Sequence, residues 1–267
     1  MGPNASPNVT RFPKKQGERE LRVDTAAAYR VLAMLGMDDL LATHISTRLP
    51  GEPMRFLTNP YGLLFEEITA SSLVALDLEG NVVGESKTKP NPYGYVIHAA
   101  VQRARPDAKC VIHTHTHPGM AVAAMADGLQ MLNQLSMMFH NRVAYYDYEE
   151  LNVALAEEDA LKGDQGEQER LAAALGSHNV MIMRNHGVIV VGETMSEAFY
   201  RLYYFEKACE IQMNTLPCNV KMVIPSPEVC EEVALMETKD PRNPPPHVWA
   251  WEAMLRKLDR TDPSFRN

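Results

Sequence analysis

The sequence predicts an α/β protein, a single-domain α/β/α sandwich on a central, largely antiparallel sheet. Three observations predict this class. Short segments of alternating apolar residues, typical of strands, are interspersed along the 267 residues with segments of helical periodicity. No glycine-rich phosphate loop joins a strand to a helix, which argues against a dinucleotide-binding fold. A hydrophobic content of 45% supplies enough apolar side chains for a core.

The N-terminal third is expected to hold an arm, a helix and several strands. Residues 1–19 are polar and contain prolines, which predicts a disordered or loosely docked arm. Asp24 is the expected N-cap of a first helix, and Gly36 is expected to end it after Leu35. Short strands and turns follow between residues 43 and 83, and the segment Leu-Glu-Gly-Asn within them predicts a hairpin tip.

The middle of the chain alternates between the two periodicities. A helix is predicted from Pro92 until Pro106 halts it, and another from Pro118. Two further segments predict a strand in NRVAYYDYE and an amphipathic helix at 167–176. The remaining strands are predicted at 109–115, 180–183 and 188–191.

The last part opens with a capping box, Thr194 to Glu197, that begins a long helix. The core stripe of this helix is predicted to be Ala198, Leu202, Phe205, Cys209 and Met213. Beyond Leu216 the chain is rich in proline, with one more helix that carries Trp249 and Trp251. We therefore predict an arm (1–19), a domain (20–215) and a C-terminal extension (216–267) that packs on the body or on an adjacent subunit.

Composition argues against several classes of partner. The formal net charge is -8 and the pI about 5.6, so we expect no nucleic-acid partner. The apolar runs are shorter than a membrane span, and the N-terminus lacks the apolar core of a secretory signal. The four cysteines show no CxxC spacing, which indicates reduced thiols. We expect a cytoplasmic protein that does not bind membranes.

A histidine pattern is the strongest chemical signal. His113 and His115 lie one residue apart on an apolar strand, which puts their side chains on one face about 6.6 Å apart. His186 lies in a tight turn between two strands. Three imidazoles on one divalent ion would leave a coordination position open, as in catalytic sites. The alternative is histidines whose ring nitrogens bond to the backbone inside a core.

Four segments resemble the class II aldolase/adducin family, whose fold is that of fuculose-phosphate aldolase. These segments are THISTRLPG, NPYGYVIHAAVQRARPDAKCVIHTHTHPG, MIMRNHGVIVVGETMSEAFYRLYYFEKAC and RKLDRTDPSFRN. The resemblance covers the chain from about residue 24 to 267 and is closest to the adducin-like and decarboxylase branch. It implies that His113, His115 and His186 bind a divalent metal, usually zinc, with manganese, cobalt or iron as alternatives. It also implies a homo-oligomer, typically a tetramer with active sites at subunit interfaces.

Departures from the family pattern bear on the substrate. The sugar-phosphate aldolases of the family carry a Ser-Ser-Glu triplet whose glutamate is the general acid/base and whose serines hold phosphate. Pro92, Tyr93 and Gly94 stand at those places here. The family segment GNxSxR appears as Thr43 to Arg48, without the glycine and asparagine that help to bind phosphate. We therefore expect a substrate without a phosphate group.

The chemistry that remains is cleavage of a carbon–carbon bond. A divalent ion can hold a hydroxyl–carbonyl pair and stabilise an enolate, which serves both retro-aldol cleavage and decarboxylation. Decarboxylation needs only a proton donor, so the absence of a carboxylate at Gly94 favours it. The prediction is a lyase for a non-phosphorylated hydroxy/oxo or hydroxyaromatic carboxylic acid. The alternatives are an iron-dependent oxygenase on the same scaffold and a non-catalytic adducin-like binding module.

Two candidate catalytic residues follow from these patterns. His117 is expected on the same strand face as the two ligands, where an imidazole could supply the proton. It could instead bond at the strand end or act as a fourth ligand. Tyr146 is a second candidate, with Tyr145 and Tyr148 as alternatives, because aldolases of the family place a tyrosine of a neighbouring subunit over the site.

Three residues are candidates for substrate binding. His44 and Arg48 lie on the segment equivalent to the anion-binding segment of the family. A guanidinium there could bind a substrate carboxylate through two hydrogen bonds, and a structural salt bridge is the alternative. Asn91 is included because it precedes the place of the absent glutamate.

Overall fold

A mixed seven-stranded sheet lies at the centre of the computed structural model, which describes residues 16–84, 86, 88–91, 94–147, 165–238, 242 and 244–267. Within these residues the strand order is β3-β2-β1-β4-β7-β6-β5. The strands are β1 His44–Arg48, β2 Arg55–Thr58, β3 Val74–Asp77, β4 Cys110–Thr114, β5 Val143–Tyr146, β6 Val180–Met183 and β7 Gly187–Gly192. Neighbours are antiparallel except β5 and β6, which are parallel. The predicted largely antiparallel sheet is confirmed.

Helices cover both faces of this sheet. They are α1 Glu18–Met34, α2 Tyr95–Ala104, α3 His117–Ala123, α4 Gln134–Met137, α5 Gln165–Leu175, α6 Met195–Thr215, α7 Pro227–Thr238 and α8 Pro246–Thr261. The core on one face joins the sheet to α1 and α6, and the core on the other joins it to α2 and α5. The predicted α/β/α sandwich is therefore confirmed.

Strand β4 shows how the layers are built. Ile112 belongs to the core under α1 and α6, whereas its neighbour Val111 belongs to the core under α2 and α5. Successive side chains of a strand point to opposite faces, and both faces are covered here, so the strand is apolar along most of its length. His113 follows on the same face as Val111, next to α2.

The prediction that Asp24 caps the first helix is wrong, because α1 begins at Glu18. Gly17 precedes the helix, and its N–H donates to Glu20 Oε2 at 2.6 Å. Asp24 lies in the second turn, where its carboxylate accepts hydrogen bonds from Gln16 Nε2 and Trp251 Nε1 at 2.7 and 3.4 Å. The prediction that Gly36 ends this helix is confirmed. Gly36 follows the C-cap residue Leu35 and has a φ of 66°, the left-handed conformation in which many helices terminate.

Beyond Leu216, the described residues form two α-helices where the sequence predicted one. The sequence prediction missed α7, whose buried side chains are few and include Cys230 and Ala234. A helix with so narrow an apolar face gives a weak periodic signal. The second helix, α8, packs on α1 and α6 through Trp251 and Leu258. The division into arm, domain and extension stays a prediction, and the arm up to residue 15 lies outside the described residues.

The long helix α6 agrees with four of the five residues of its predicted stripe, and the fifth, Met213, is half-buried. Ala198, Leu202, Phe205 and Cys209 are fully buried. Thr194 Oγ1 accepts from Glu197 N–H as a capping residue should, but the Glu197 carboxylate accepts from Glu193 N–H at 3.0 Å. Across the described ranges, no helix is both long enough and apolar enough to cross a bilayer.

Candidate metal centre

Three histidines converge at one end of the central strands. His113 is the fourth residue of β4, His115 follows the end of that strand, and His186 lies in the turn between β6 and β7. Nε2 of His115 lies 2.9 Å from Nε2 of His113 and 2.9 Å from Nε2 of His186. Two nitrogens bound to one tetrahedral zinc lie about 3.3 Å apart, so the cluster has nearly the dimensions of a metal site. These are the three residues that the sequence pattern selects.

The partners of the other ring nitrogens decide what the cluster can hold. His113 Nδ1 lies 3.0 Å from the carbonyl oxygen of Val188, and His115 Nδ1 lies 3.0 Å from a carboxylate oxygen of Asp39. Both partners are acceptors only, so each Nδ1 carries the proton when the ring is neutral. The two Nε2 atoms then present lone pairs to each other, an arrangement that a cation between them stabilises. The donor set therefore fits a divalent metal.

Burial favours the neutral form of His113 and His186, the form that binds a metal. His113 is 1% exposed, and its pKa lies well below the usual range, first because of burial and then because of neighbouring histidines. Burial, followed by the influence of His115, lowers the pKa of His186 to about 4.

Tight packing places the turn histidine. Asn185 has a φ of 56°, the left-handed conformation that asparagine tolerates in tight turns. A Cβ atom at Gly187 would lie 2.5 Å from the carbonyl oxygen of Thr114 and 2.8 Å from the ring of His115. Glycine at this position therefore lets the turn approach β4 closely enough for His186 to meet the other two histidines.

Asp39 and Glu206 support the site, and sequence reasoning missed both. Asp39, in the loop between α1 and β1, orients the ring of His115 in the way that carboxylates orient metal-bound histidines. Glu206, on α6, is 4% exposed and accepts hydrogen bonds from the hydroxyls of Thr114 and Thr116. Because these threonines flank His115, the glutamate holds both sides of that ligand.

Comparisons with known proteins agree with this fold. The family model of the class II aldolase and adducin N-terminal domain matches residues 23–213. The chain belongs to this family. A Caulobacter vibrioides protein whose name places it among class 2 aldolases is 39% identical over 99% of both chains. The solved structure of an aldolase II superfamily protein from Pseudomonas syringae is 40% identical, with a TM-score of 0.84, and covers 95% of this chain and 98% of its own.

Adducins are relatives of the same family. Rat alpha-adducin is 36% identical over 91% of this chain, and the match spans 34% of the adducin. The family therefore includes both proteins named as aldolases and an adducin that is about three times as long as the segment matched here.

This class II aldolase/adducin chain places His44 beside the metal cluster. His44 pairs with His113 across β1 and β4, and the two ring centroids are 4.9 Å apart. On its other side, a Cβ at Gly94 would lie 2.8 Å from Cγ of His44. His44 therefore occupies the space that a side chain at residue 94 would need.

Arg48 lies away from the cluster, and Asn91 stays a prediction. Arg48 lies four residues further along β1, about 13 Å away, and its Nε donates to Gln102 Oε1 at 2.9 Å. Its remaining donors bond to carbonyls at the end of α2, including that of Arg105. Asn91 donates to the carbonyl of Leu41 at 3.0 Å and so supports the loop that carries Asp39. These contacts give Arg48 a structural role, as the alternative to substrate binding expected. The partners, however, are backbone carbonyls and the amide of Gln102, whereas that alternative was a salt bridge.

The expectation that His117 shares the strand face is wrong. Strand β4 ends at Thr114, and His117 is the exposed first residue of α3. Thr116 caps α3 by accepting from Gly119 N–H at 3.1 Å, which turns the chain away from the strand direction. A catalytic role for His117 stays a prediction without support from its position.

Tyr146 occupies a buried position, which does not match a tyrosine that reaches the site of a neighbouring subunit. It is 7% exposed and packs in the core under α2 and α5, on the edge strand β5. A tyrosine that reaches a neighbouring subunit must be exposed, and Tyr145, at 37% exposure, meets this condition better. Tyr145, however, stacks under the guanidinium of Arg184 at 4.4 Å. Tyr148 lies outside the described residues.

Proposed function

We propose that this protein is a divalent-metal-dependent carbon–carbon lyase that acts on a non-phosphorylated hydroxy/oxo or hydroxyaromatic carboxylic acid. The convergence of three Nε2 atoms, with the Nδ1 atoms of two of the rings held by acceptors, is the observation that carries the proposal. Zinc is the proposed native metal. When bound, it would hold two substrate oxygens and stabilise the negative charge that develops as the carbon–carbon bond breaks.

Decarboxylation is proposed ahead of retro-aldol cleavage. Gly94 offers no carboxylate, and in the described part of the chain the candidate metal group consists of histidines alone. Asp39, the nearby carboxylate, is engaged with His115 Nδ1. A site without a dedicated carboxylate base suits a reaction that needs only a proton donor after carbon dioxide leaves.

A substrate without phosphate is supported by the anion-binding segment of this chain. Arg48, its cation, bonds to Gln102 and to carbonyls at the end of α2. Burial holds the pKa of His44 well below its usual range, so this residue adds no positive charge that would bind a phosphate.

Elemental analysis of the purified protein tests the metal first. About one zinc, manganese or cobalt per subunit supports the lyase and leads to a screen of hydroxylated aromatic and oxo acids for release of carbon dioxide. Predominantly iron, with strict oxygen dependence of turnover, would point to an oxygenase. We expect His113→Ala and His186→Ala to lose metal and turnover while most of the fold is retained; full activity in either variant contradicts the proposal.

A non-catalytic binding module is the second candidate, because the chain is 36% identical to an adducin over 91% of its length. The two candidates differ in their need for the cluster. A binding module has no use for three converging imidazoles, so absence of bound metal after incubation with divalent salts would favour it.

We further propose a homotetramer with active sites at subunit interfaces. Besides the family resemblance, the chain exposes an apolar segment after α6, in which Val220, Val223 and Ile224 are 63%, 92% and 59% exposed. Light scattering coupled to size-exclusion chromatography tests this, and a monomeric mass would contradict it.

A further inference from the structure

A chain of buried hydrogen bonds runs from Arg48 to His44 between strand β1 and helix α2. Gln102 accepts from Arg48 Nε at 2.9 Å and donates from Nε2 to Ser46 Oγ at 3.2 Å. Ser46 Oγ lies 2.5 Å from His98 Nδ1. His98 Nε2 in turn lies 2.7 Å from His44 Nδ1. The four residues between the guanidinium and the metal cluster are each at most 1% exposed.

Arg48 determines which groups donate and which accept in the first hydrogen bonds of the chain. A guanidinium only donates, so the amide oxygen of Gln102 must face Arg48. The amide nitrogen of Gln102 then faces the other way, where it donates to Ser46 Oγ and to the carbonyl of Lys109 at 3.3 Å. Ser46 is therefore an acceptor from this side.

Because Ser46 accepts from Gln102, its hydroxyl determines the role of His98 in the next hydrogen bond. Its hydroxyl hydrogen needs an acceptor, and within the described residues His98 Nδ1 is the available one. The reverse arrangement, with His98 Nδ1 donating, would leave the hydroxyl hydrogen of a fully buried serine without an acceptor, which structures avoid. His98 Nδ1 thus accepts.

Neutral imidazoles complete the chain. Burial lowers the pKa of His98 to about 3, so the ring carries one proton, and that proton must be on Nε2. His98 Nε2–H donates to His44 Nδ1. His44 is 1% exposed and its Nδ1 accepts this hydrogen bond, so a neutral His44 carries its proton on Nε2.

The surroundings of His44 leave Nε2 as the ring nitrogen able to meet a ligand. Nδ1 is bound to His98, and the Cγ–Cδ2 edge lies against Gly94. In the described structure Nε2 has no hydrogen-bond partner, and the ring lies beside that of His113.

We propose that His44 is a neutral hydrogen-bond donor whose Nε2–H binds an oxygen atom, of a carboxylate or carbonyl group, in the ligand held at the three-histidine centre. This inference rests on the metal site of the proposed function. Arg48 acts through the chain as a positioning residue, since its donors fix which nitrogen of His44 carries the proton.

Nitrogen-15 NMR of histidine-labelled, metal-free protein tests the tautomer directly. We expect His44 and His98 both to be protonated at Nε2, with the His44 signals identified by their loss in His44→Phe. Protonation of His44 at Nδ1 would overturn the inference, whatever metal the protein binds.

The variant Gln102→Glu tests whether the contact between Arg48 and Gln102 fixes the donor and acceptor roles along the chain. The carboxylate accepts from both Arg48 and Ser46, so each later link should reverse and His44 should become protonated at Nδ1. Gln168→Glu is the matched control, because Gln168 is also buried and its Oε1 accepts from Arg103 at 2.7 Å, away from the chain. An unchanged His44 tautomer in folded Gln102→Glu would contradict the role of Arg48. Ser46→Ala, which breaks the chain, should give a mixture of tautomers if Gln102→Glu does not fold.

Ligand binding separates this inference from the proposed function. Cobalt(II) is titrated first, and oxalate is then titrated into the cobalt-loaded protein and followed by visible absorption. His44→Phe should bind cobalt(II) as the wild type does but oxalate about 10- to 100-fold more weakly, the effect of losing a hydrogen bond to a charged oxygen. Equal oxalate affinity contradicts the donor role. Failure of the wild type to bind cobalt(II) would instead contradict the metal site, and the tautomer measurement would still decide the hydrogen-bond chain.

Discussion

At the scale of single residues, the metal cluster depends on the acceptors that hold the Nδ1–H groups of its histidines. The Val188 carbonyl belongs to the β-sheet and cannot be removed by a side-chain substitution, whereas Asp39 can be changed. A carboxylate bonded to a ligating imidazole fixes the ring and makes Nε2 a stronger electron donor. Asp39 is therefore the side chain through which the cluster can be weakened without loss of a ligand.

We predict that Asp39→Asn lowers metal affinity by about 10- to 100-fold, because the amide keeps an acceptor oxygen but loses the charge. Affinity is measured by competition with a chromogenic chelator. Asp38→Asn is the control, since this neighbouring carboxylate does not bond to a histidine in the described structure. Wild-type affinity in Asp39→Asn would show that the carboxylate does not support His115.

Gly94→Ala tests the packing beside His44. The added Cβ would lie 2.8 Å from Cγ of His44, so the ring must move, and we expect a loss of about 1–3 kcal/mol in the free energy of unfolding. The same substitution in a His44→Ala background should cost markedly less, because the competing ring is gone. Denaturant unfolding of the four proteins measures the coupling, and equal costs in both backgrounds would contradict the steric account.

At the scale of elements, the corner between β4 and α3 positions His115, and α6 holds that corner. Thr114 ends β4, Thr116 caps α3, and the hydroxyls of both donate to Glu206. Burial raises the pKa of Glu206 from 4.5 to about 7, and the hydrogen bonds from the two threonines oppose this shift only in part. The corner thus contains a carboxyl group that titrates near neutral pH.

The raised pKa predicts a pH-dependent contribution to stability. Between pH 4.5 and about 7 the folded protein holds a proton that the unfolded chain has released. The contribution of Glu206 is therefore fully present below pH 4.5 and is lost as the pH rises through about 7. Relative to Glu206→Gln, the metal-free wild type should lose up to roughly 3 kcal/mol of unfolding free energy between pH 5 and pH 7.5. Denaturant unfolding across this range checks it; a constant difference would contradict it.

At the scale of the whole molecule, the C-terminal extension closes one face of the sandwich. Helix α8 packs on α1 and α6, where the ring of Trp251 lies 5.4 Å from that of Phe199. Phe265, in the short turn of helix that follows, is fully buried. The extension is thus part of the core that supports α6 and, through Glu206, the metal site.

The two tryptophans of α8 give a matched test of this docking. Trp251 is 5% exposed and Trp249 is 45% exposed on the same helix. We predict that Trp251→Ala lowers the free energy of unfolding by about 3–5 kcal/mol, the cost of a large cavity. Trp249→Ala should change it by less than about 1 kcal/mol. Thermal or denaturant unfolding measures both, and equal effects would mean that α8 does not dock as described.

Several features of this protein are determined by the sequence alone. The order and kind of the strands, the stripe of α6 and the three clustered histidines all follow from local periodicity and short spacing, which a strand or a turn translates directly into geometry. The sandwich class follows from the alternation of strand-like and helical segments without a glycine-rich phosphate loop. The same local reasoning failed where it placed His117 on the face of β4, because the strand ends at Thr114, three residues earlier, and Thr116 caps a helix.

Tertiary structure alone decided what surrounds the cluster. Asp39 meets His115 across 76 residues, Glu206 meets Thr114 across 92, and Arg48 meets Gln102 across 54. None of these pairs leaves a periodic signal, because each forms only when separate elements pack and their polar groups must find partners away from water. Local sequence therefore selects the three clustered imidazoles, whereas packing selects the acceptors and donors that fix their tautomers.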